Sequence, residues 1–258
     1  MVKVIEGIFV SSAALNVQQE RLDLLSQDLE NINTCGYKKR SLIIENNFKD
    51  LVNSNTESLL KKNIKDIPEI NYSGLAPFIA HDYTDFSPAV MKETKVPTDF
   101  ALNSEGFFVI QTSDNEQYTR NGTFSIDADG YLVNISGNKV LGEDGPLKTG
   151  AQNFLLAKDG AITVNGQSAG KIRVVTFEEP QLLLYEGSGC FSQPSQGAGL
   201  KDEENPQISR GFLELANVDL PDDMVNMIEI SRTYEANQRV IRTQDDLLGK
   251  AIQIGNAK

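Results

Sequence analysis

The chain of 258 residues has no tryptophan, one histidine and two cysteines. The lone His81 leaves no set for a histidine-based metal centre, and no Ser, Asp or Cys pattern around it resembles a catalytic triad. Cys35 and Cys190 lie far apart without metal-type spacing, so two unpaired thiols are expected rather than a disulfide. No run of about 18 apolar residues is present, so no segment offers a helix able to cross a bilayer. The opening "MVKVIEGIFVSSAALNVQQER" carries one early lysine and small residues near position 13, but Glu6 interrupts its apolar stretch and the same periodicity runs on beyond it. That is not the layout of a cleaved secretion signal, and export without a removable leader is the expectation if the protein leaves the cytoplasm.

Positive charge is also scarce where a nucleic-acid binder would need it. Residues 1–40 hold five cations and five anions and residues 210–258 hold six and eight, which leaves −10 of the net −12 to residues 41–209. An acidic middle excludes a cationic footprint for a phosphate backbone, whereas near-neutral ends suit segments that pack against copies of themselves. The apolar fraction of 40% and charged fraction of 23% are those of a folded chain, long enough for one large domain or two modest ones.

What is present begins with two helical patterns. Ile8, Leu15, Leu22 and Leu29 recur every seven residues, with Leu25 and Ile32 three places on, as in a helical seam. The same period returns as Leu220, Met227, Tyr234, Ile241 and Leu248, with Ser231, Gln238 and Asp245 as the companion row. Asp219 is a credible N-cap, and Pro221 with two aspartates in the first turn suits the positive end of a helix expected over about 220–253. A single apolar stripe on each helix does not offset the entropy of ordering some thirty residues, so both ends are expected to be mobile alone and ordered by neighbouring subunits.

Between the helices the texture is β. "GFFVIQT", "EQYTRNGTFSIDADGYLVN", "GNKVLG", "NFLLAKDGAITVNGQ" and "KIRVVTFEE" are short runs punctuated by Asn-Gly, Asp-Gly and Ser-Gly, an antiparallel region over roughly 75–195. "SQPSQGAGLKDEENPQISRG" is a polar connector to the final helix. The divisions expected are 1–40 (helical), 41–74 (connecting, of mixed character), 75–195 (β-rich) and 196–258 (connector and helix).

Signals for chemistry are weak. Asp127 to Gly130 reads as a β-turn, since a calcium loop places its glycine sixth and a glutamate twelfth. The neighbouring acids Glu178/Glu179, Asp222/Asp223 and Asp245/Asp246 do not converge on a cleft. The glycines at 106, 122, 130, 137, 142, 145 and 160 are spaced by strands and turns, without a phosphate-cradling loop. No catalytic, cofactor or metal residue is expected, and neither is a small-molecule substrate.

Three ordered blocks carry a resemblance. "SSAALNVQQERLDLLSQDLENINTCGYKKR" is similar to the opening signature of the bacterial flagellar rod and hook family, N-x-N-T-x-G-[YF]-K after a Gln-Gln helix, matched by Gln18, Gln19, Asn31, Asn33, Thr34, Gly36, Tyr37 and Lys38. "TDFALNSEGFFVIQTSDNEQYTRNGTFSIDADGYLVNISGNKVLG" resembles the central segment, and "GFLELANVDLPDDMVNMIEISRTYEANQRVIRTQDDLL" the closing one, with Glu214, Asn217, Met227 and Tyr234 in register. Departures include Glu30 in place of a small residue, Pro221-Asp222-Asp223 before the final Met-Val, and Cys35.

The resemblance implies an α+β subunit of the flagellar rod, distal or proximal, whose terminal helices pair as a coiled coil in a helical tube around which the antiparallel β domain lies. Its partners would be other copies, sister rod or hook subunits and the flagellar export apparatus, outside the inner membrane and without membrane insertion. The interface residues implied are Ile8, Leu15, Leu22, Leu29, Asn31, Asn33, Thr34, Gly36, Tyr37, Met227, Tyr234, Asn237, Ile241 and Leu248. Gly36 is expected to end the first helix through a positive φ, and Tyr37 with the cations 38–40 to face an acidic neighbour. A secreted β-rich hydrolase with helical tails is the alternative.

Overall fold

Phe107 to Gln111 is apolar at four consecutive positions, which suits a strand covered on both faces. In the computed structural model, which describes residues 2–46, 77–113, 115–150, 154–194 and 197–256, this strand is the centre of a ten-stranded antiparallel sheet. One edge pairs with Glu116–Thr119; the other is shared, with Val174 and Val175 opposite Phe108 and Phe107, and Val140 opposite Ile110. Because side chains alternate along a strand, consecutive residues enter two different cores. Phe108, Ile110, Val140 and Val174 join Phe100, Phe124 and Phe154 on one face; Phe107, Val109, Leu141 and Val175 join Tyr118 and Phe191 on the other. Rings meet edge to face, as between Phe108 and Phe124 at 5.3 Å and Phe107 and Phe86 at 5.2 Å. Each such fully buried side chain contributes about 1.5–3 kcal/mol of transfer free energy.

Turn chemistry sets the hairpins. The Tyr131 N–H donates to Asp127 Oδ1 at 2.7 Å and Gly130 N to Asp127 O at 3.1 Å, which is the β-turn expected there. Between Leu132–Val133 and Lys139–Gly142, the Asn134 side chain accepts from the N–H groups of Ser136 and Asn138, and Ile135 at the tip is 83% exposed. A three-stranded sheet (154–171) and two strand pairs, Phe100–Leu102 with Ile208–Arg210 and Met91–Glu93 with Phe212–Glu214, complete this unit, which comprises residues 30–39 and 84–218.

The second unit comprises residues 1–29, 40–83 and 219–258. It holds α1 (Val2–Glu30), α2 (Leu220–Asn256) and a two-stranded sheet of Arg40–Asn46 with Pro77–Thr84. At ~1.5 Å per residue, α2 is ~55 Å long. Asp219 caps it, accepting from Asp222 N at its Oδ1 (3.4 Å), and Asp222 and Asp223 occupy the first turn. The helices meet at Gly7, where an added β-carbon would fall 2.5 Å from Gln244 Nε2. The architecture is thus α+β with terminal helices and mostly antiparallel strands. Of the expected connecting segment 41–74, residues 47–74 lie outside the described residues.

Candidate functional site

Helix α1 ends at Glu30, and the residues after it turn back on themselves. Thr34 N donates to Asn31 O (2.9 Å), its hydroxyl donates to Asn31 Oδ1 (3.2 Å), and Tyr37 N donates to Thr34 O (3.2 Å). Gly36 has φ +70°, but it stands six residues past the helix end and so does not cap it. Its role is close approach: a β-carbon there would lie 2.4 Å from the backbone of Arg120 and Asn121. Tyr37 is 1% exposed. The neighbour-facing role read for Gly36, Tyr37 and the cations gives way, at Gly36, Tyr37 and Lys38, to an intramolecular one.

Lys38 carries that role. Its side chain is 0% exposed, and Nζ donates to Glu214 Oε1 at 2.7 Å and to Ser87 O at 2.6 Å. Burial pushes the Lys38 ammonium below the usual lysine value, while the hydrogen bond and charge of Glu214 oppose the push. Glu214, whose side chain is 1% exposed, also accepts from Ala89 N at 3.1 Å and lies 3.6 Å from Arg120 Nη1 through its second oxygen. Arg120 in turn donates to Ser104 O at 3.0 Å and lies over the Phe107 ring at 5.5 Å. Around this cluster, Gly36 N donates to Glu214 O (2.7 Å), Lys39 N to Asn217 Oδ1 (2.7 Å), Asn217 N to Tyr37 O (3.4 Å) and Asn217 Nδ2 to Asp85 O (2.7 Å). Three segments, 36–39, 85–89 and 214–217, are therefore pinned to one another. Glu214 and Asn217 stood in the closing motif without a role, because nothing in the linear sequence ties Lys38 to a carboxylate 176 residues away.

Arg40 belongs to the helical unit, where it pairs with Asp82 and its N–H donates to Asp28 Oδ1 at 3.4 Å. Asn33 is exposed; Asn31 and Thr34 are half-buried. On α1 the expected row Ile8, Leu15, Leu22 and Leu29 is half-buried throughout, and the deepest positions are Val17, Leu24 and Asp28. On α2, Met227, Tyr234, Asn237, Ile241 and Leu248 lie on the least exposed line of the helix, with Asp223, Ile230 and Gln244. That line steps alternately by four and three residues through 223, 230, 237 and 244; of the companion row read from sequence, Ser231 and Gln238 are half-buried beside it and Asp245 is exposed.

The rest of α2 is unusual for a surface helix. Met224, Val225, Ile228, Leu247 and Ile252 are each more than half exposed, all off the covered line. Cys35 and Cys190 are free thiols, and burial pushes the Cys190 thiol up. Among the described residues no group of three or more His, Cys, Asp and Glu is placed to hold a metal ion, and no helix is long and apolar enough to cross a membrane.

Residues 101–164 match the model of the flagellar hook protein FlgE/F/G D1 domain, and residues 209–254 match that of the flagellar basal body rod FlgEFG protein C-terminal region. Across the whole length, the chain is 30% identical to the flagellar basal-body rod protein FlgG of Borreliella burgdorferi, covering 95% of this chain and 97% of that one. It is 29% identical to FlgG of Bacillus subtilis (92% and 94% covered) and 28% identical to FlgG of Buchnera aphidicola subsp. Acyrthosiphon pisum (97% and 100% covered).

Proposed function

This chain belongs to the flagellar basal-body rod protein family, and from that premise we propose that it is a structural subunit of the bacterial flagellar rod, distal or proximal, built into a helical tube by its terminal helices. Its partners are other copies and sister rod or hook subunits, its place is the flagellar basal body, and the flagellar export apparatus delivers it there. The full-length coverage of relatives named as rod proteins supports this reading. The alternative of a hydrolase finds no support in those relatives.

The observation that carries the assembly mode is the outer surface of α2. Five large apolar residues, each 51–55% exposed, stand on a helix whose covered line includes Asp223, Asn237 and Gln244. A helix that covers polar residues and exposes methionine, valine, isoleucine and leucine has its apolar partner elsewhere. Neighbouring subunits supply that partner through Ile8, Leu15, Leu22 and Leu29 of α1 together with α2, paired there as a coiled coil, and through the exposed Asn33 beside Asn31 and Thr34. A heterologous contact repeated without closing gives a helical filament. The ends gain their fixed form in that assembly.

The test is sedimentation and electron microscopy of the concentrated protein. Rods or filaments are expected, and Leu22→Asp or Tyr234→Asp is expected to abolish them with the β signal in circular dichroism intact. Unimpaired assembly in both variants, or loss of β structure in either, overturns the division of labour.

A further inference from the structure

We propose that Lys38 and Glu214 form a completion latch: residues 36–39 dock on the β unit only after residues 214–217 are in place. This goes beyond the rod reading and does not depend on it. The two partners need each other unequally. Without Lys38, the Glu214 carboxylate keeps the Ala89 N–H at 3.1 Å and Arg120 at 3.6 Å, and its strand stays paired with Met91–Glu93. Without Glu214, the fully enclosed Lys38 ammonium keeps the hydrogen bond to the Ser87 carbonyl and the charge of Asp85, to which it makes no ion pair. A buried ammonium with one carbonyl hydrogen bond and no ion pair is more costly than a buried carboxylate still facing a guanidinium and an amide.

The backbone repeats the dependence. Gly36 N donates to Glu214 O, Lys39 N donates to Asn217 Oδ1 and Tyr37 O accepts from Asn217 N, so three of the contacts that hold 36–39 fall on the last residues of the unit in chain order, beside those that Asp85 N and Ser87 O make to Lys39 and Lys38. The unit runs from 84 to 218 beyond this segment. A chain that emerges N-terminus first therefore lacks the carboxylate and the Asn217 clamp for residues 36–39 until almost all of it is available, and the contacts with 85–87 alone leave the Lys38 ammonium without its ion pair. The segment that follows α1 completes its docking last, although it is made before the strands of the unit it docks on.

Two measurements on the full chain decide the matter. In pulse-labelled hydrogen exchange during refolding, amides 36–39 are expected to gain protection together with or after 212–217, and after 107–110; protection at 36–39 before 212–217 overturns the latch. In the folded protein, Glu214→Gln is expected to speed exchange at 36–39 by about tenfold or more, with 107–110 and 174–175 unchanged. Equal loss in those core strands, or no loss at 36–39, overturns it. The pair Lys38→Met with Glu214→Leu is expected to restore protection at 36–39, and failure to restore overturns the electrostatic basis. Should Glu214→Gln not fold, the order of protection in the unsubstituted chain decides alone.

Discussion

The two units use their apolar side chains in opposite ways. In the β unit, Phe108, Ile110, Phe154 and Val175 are each 0–1% exposed, and one strand feeds two cores by alternation. In the helical unit, Val17, Leu24 and Ile230 are the only buried apolar residues among those described, while Met224, Val225, Ile228 and Leu247 stand in solvent. Among the described residues, one region encloses its apolar side chains and the other leaves many of its own exposed. On the rod reading proposed above, stability and assembly fall to different stretches of one chain, and a substitution in one is expected to leave the other's property alone.

The strongest challenge to that contrast is Phe108→Ala. Removing a ring shared with Phe124 is expected to cost about 3–5 kcal/mol, read as a lower urea midpoint of the β signal in circular dichroism, with helix content retained. Ile230→Ala should cost less, about 2 kcal/mol, and only locally: faster amide exchange along α2 with the β midpoint unmoved. A shift of both together would mean that the two units unfold as one.

Acid gives a smaller effect confined to the helical unit. The hydrogen bond from Arg40 holds the Asp82 carboxyl below its ordinary value, so its contribution is present above pH 3.8 and is lost as the pH falls through the depressed folded value. The pair is partly exposed, so this is worth about 0.2–1 kcal/mol. Asp82→Asn should flatten the acid limb of the stability curve, with the β unit indifferent. The mildest probe is thiol labelling: Cys35, half-buried, should react in the native protein, whereas Cys190, enclosed and with its thiol pushed up, should react only after denaturation.

Legibility in sequence followed how local the physics is. The bounds of α2 were expected at 220–253 and are 220–256, because Asp219, Pro221 and the seven-residue row are local signals. Its covered line was half legible. Met227, Tyr234, Ile241 and Leu248 lie on it, and Ser231 and Gln238 of the row read beside them are half-buried, but the polar Asp223, Asn237 and Gln244 give no hydrophobic signal and were not read as part of it, while Asp245, which was, is exposed. On α1, both Leu22 and Leu24 are apolar, and periodicity alone does not choose between their faces. The β hairpins were readable from Asp127-Gly130 and Asn134-Gly137, where side chains bond their own turns. The Lys38 cluster was not, since its partners Ser87, Arg120 and Glu214 are brought together only by the closed fold.

The hairpin tip at Asn134 to Asn138 has a practical use. A β-carbon on Gly137 would meet nothing within 4 Å, and Ile135 beside it is almost wholly in solvent. An epitope or a fluorescent module grafted at this corner would hang clear of both aromatic cores and of both helices' sequence, giving a handle by which single molecules can be counted inside a finished organelle.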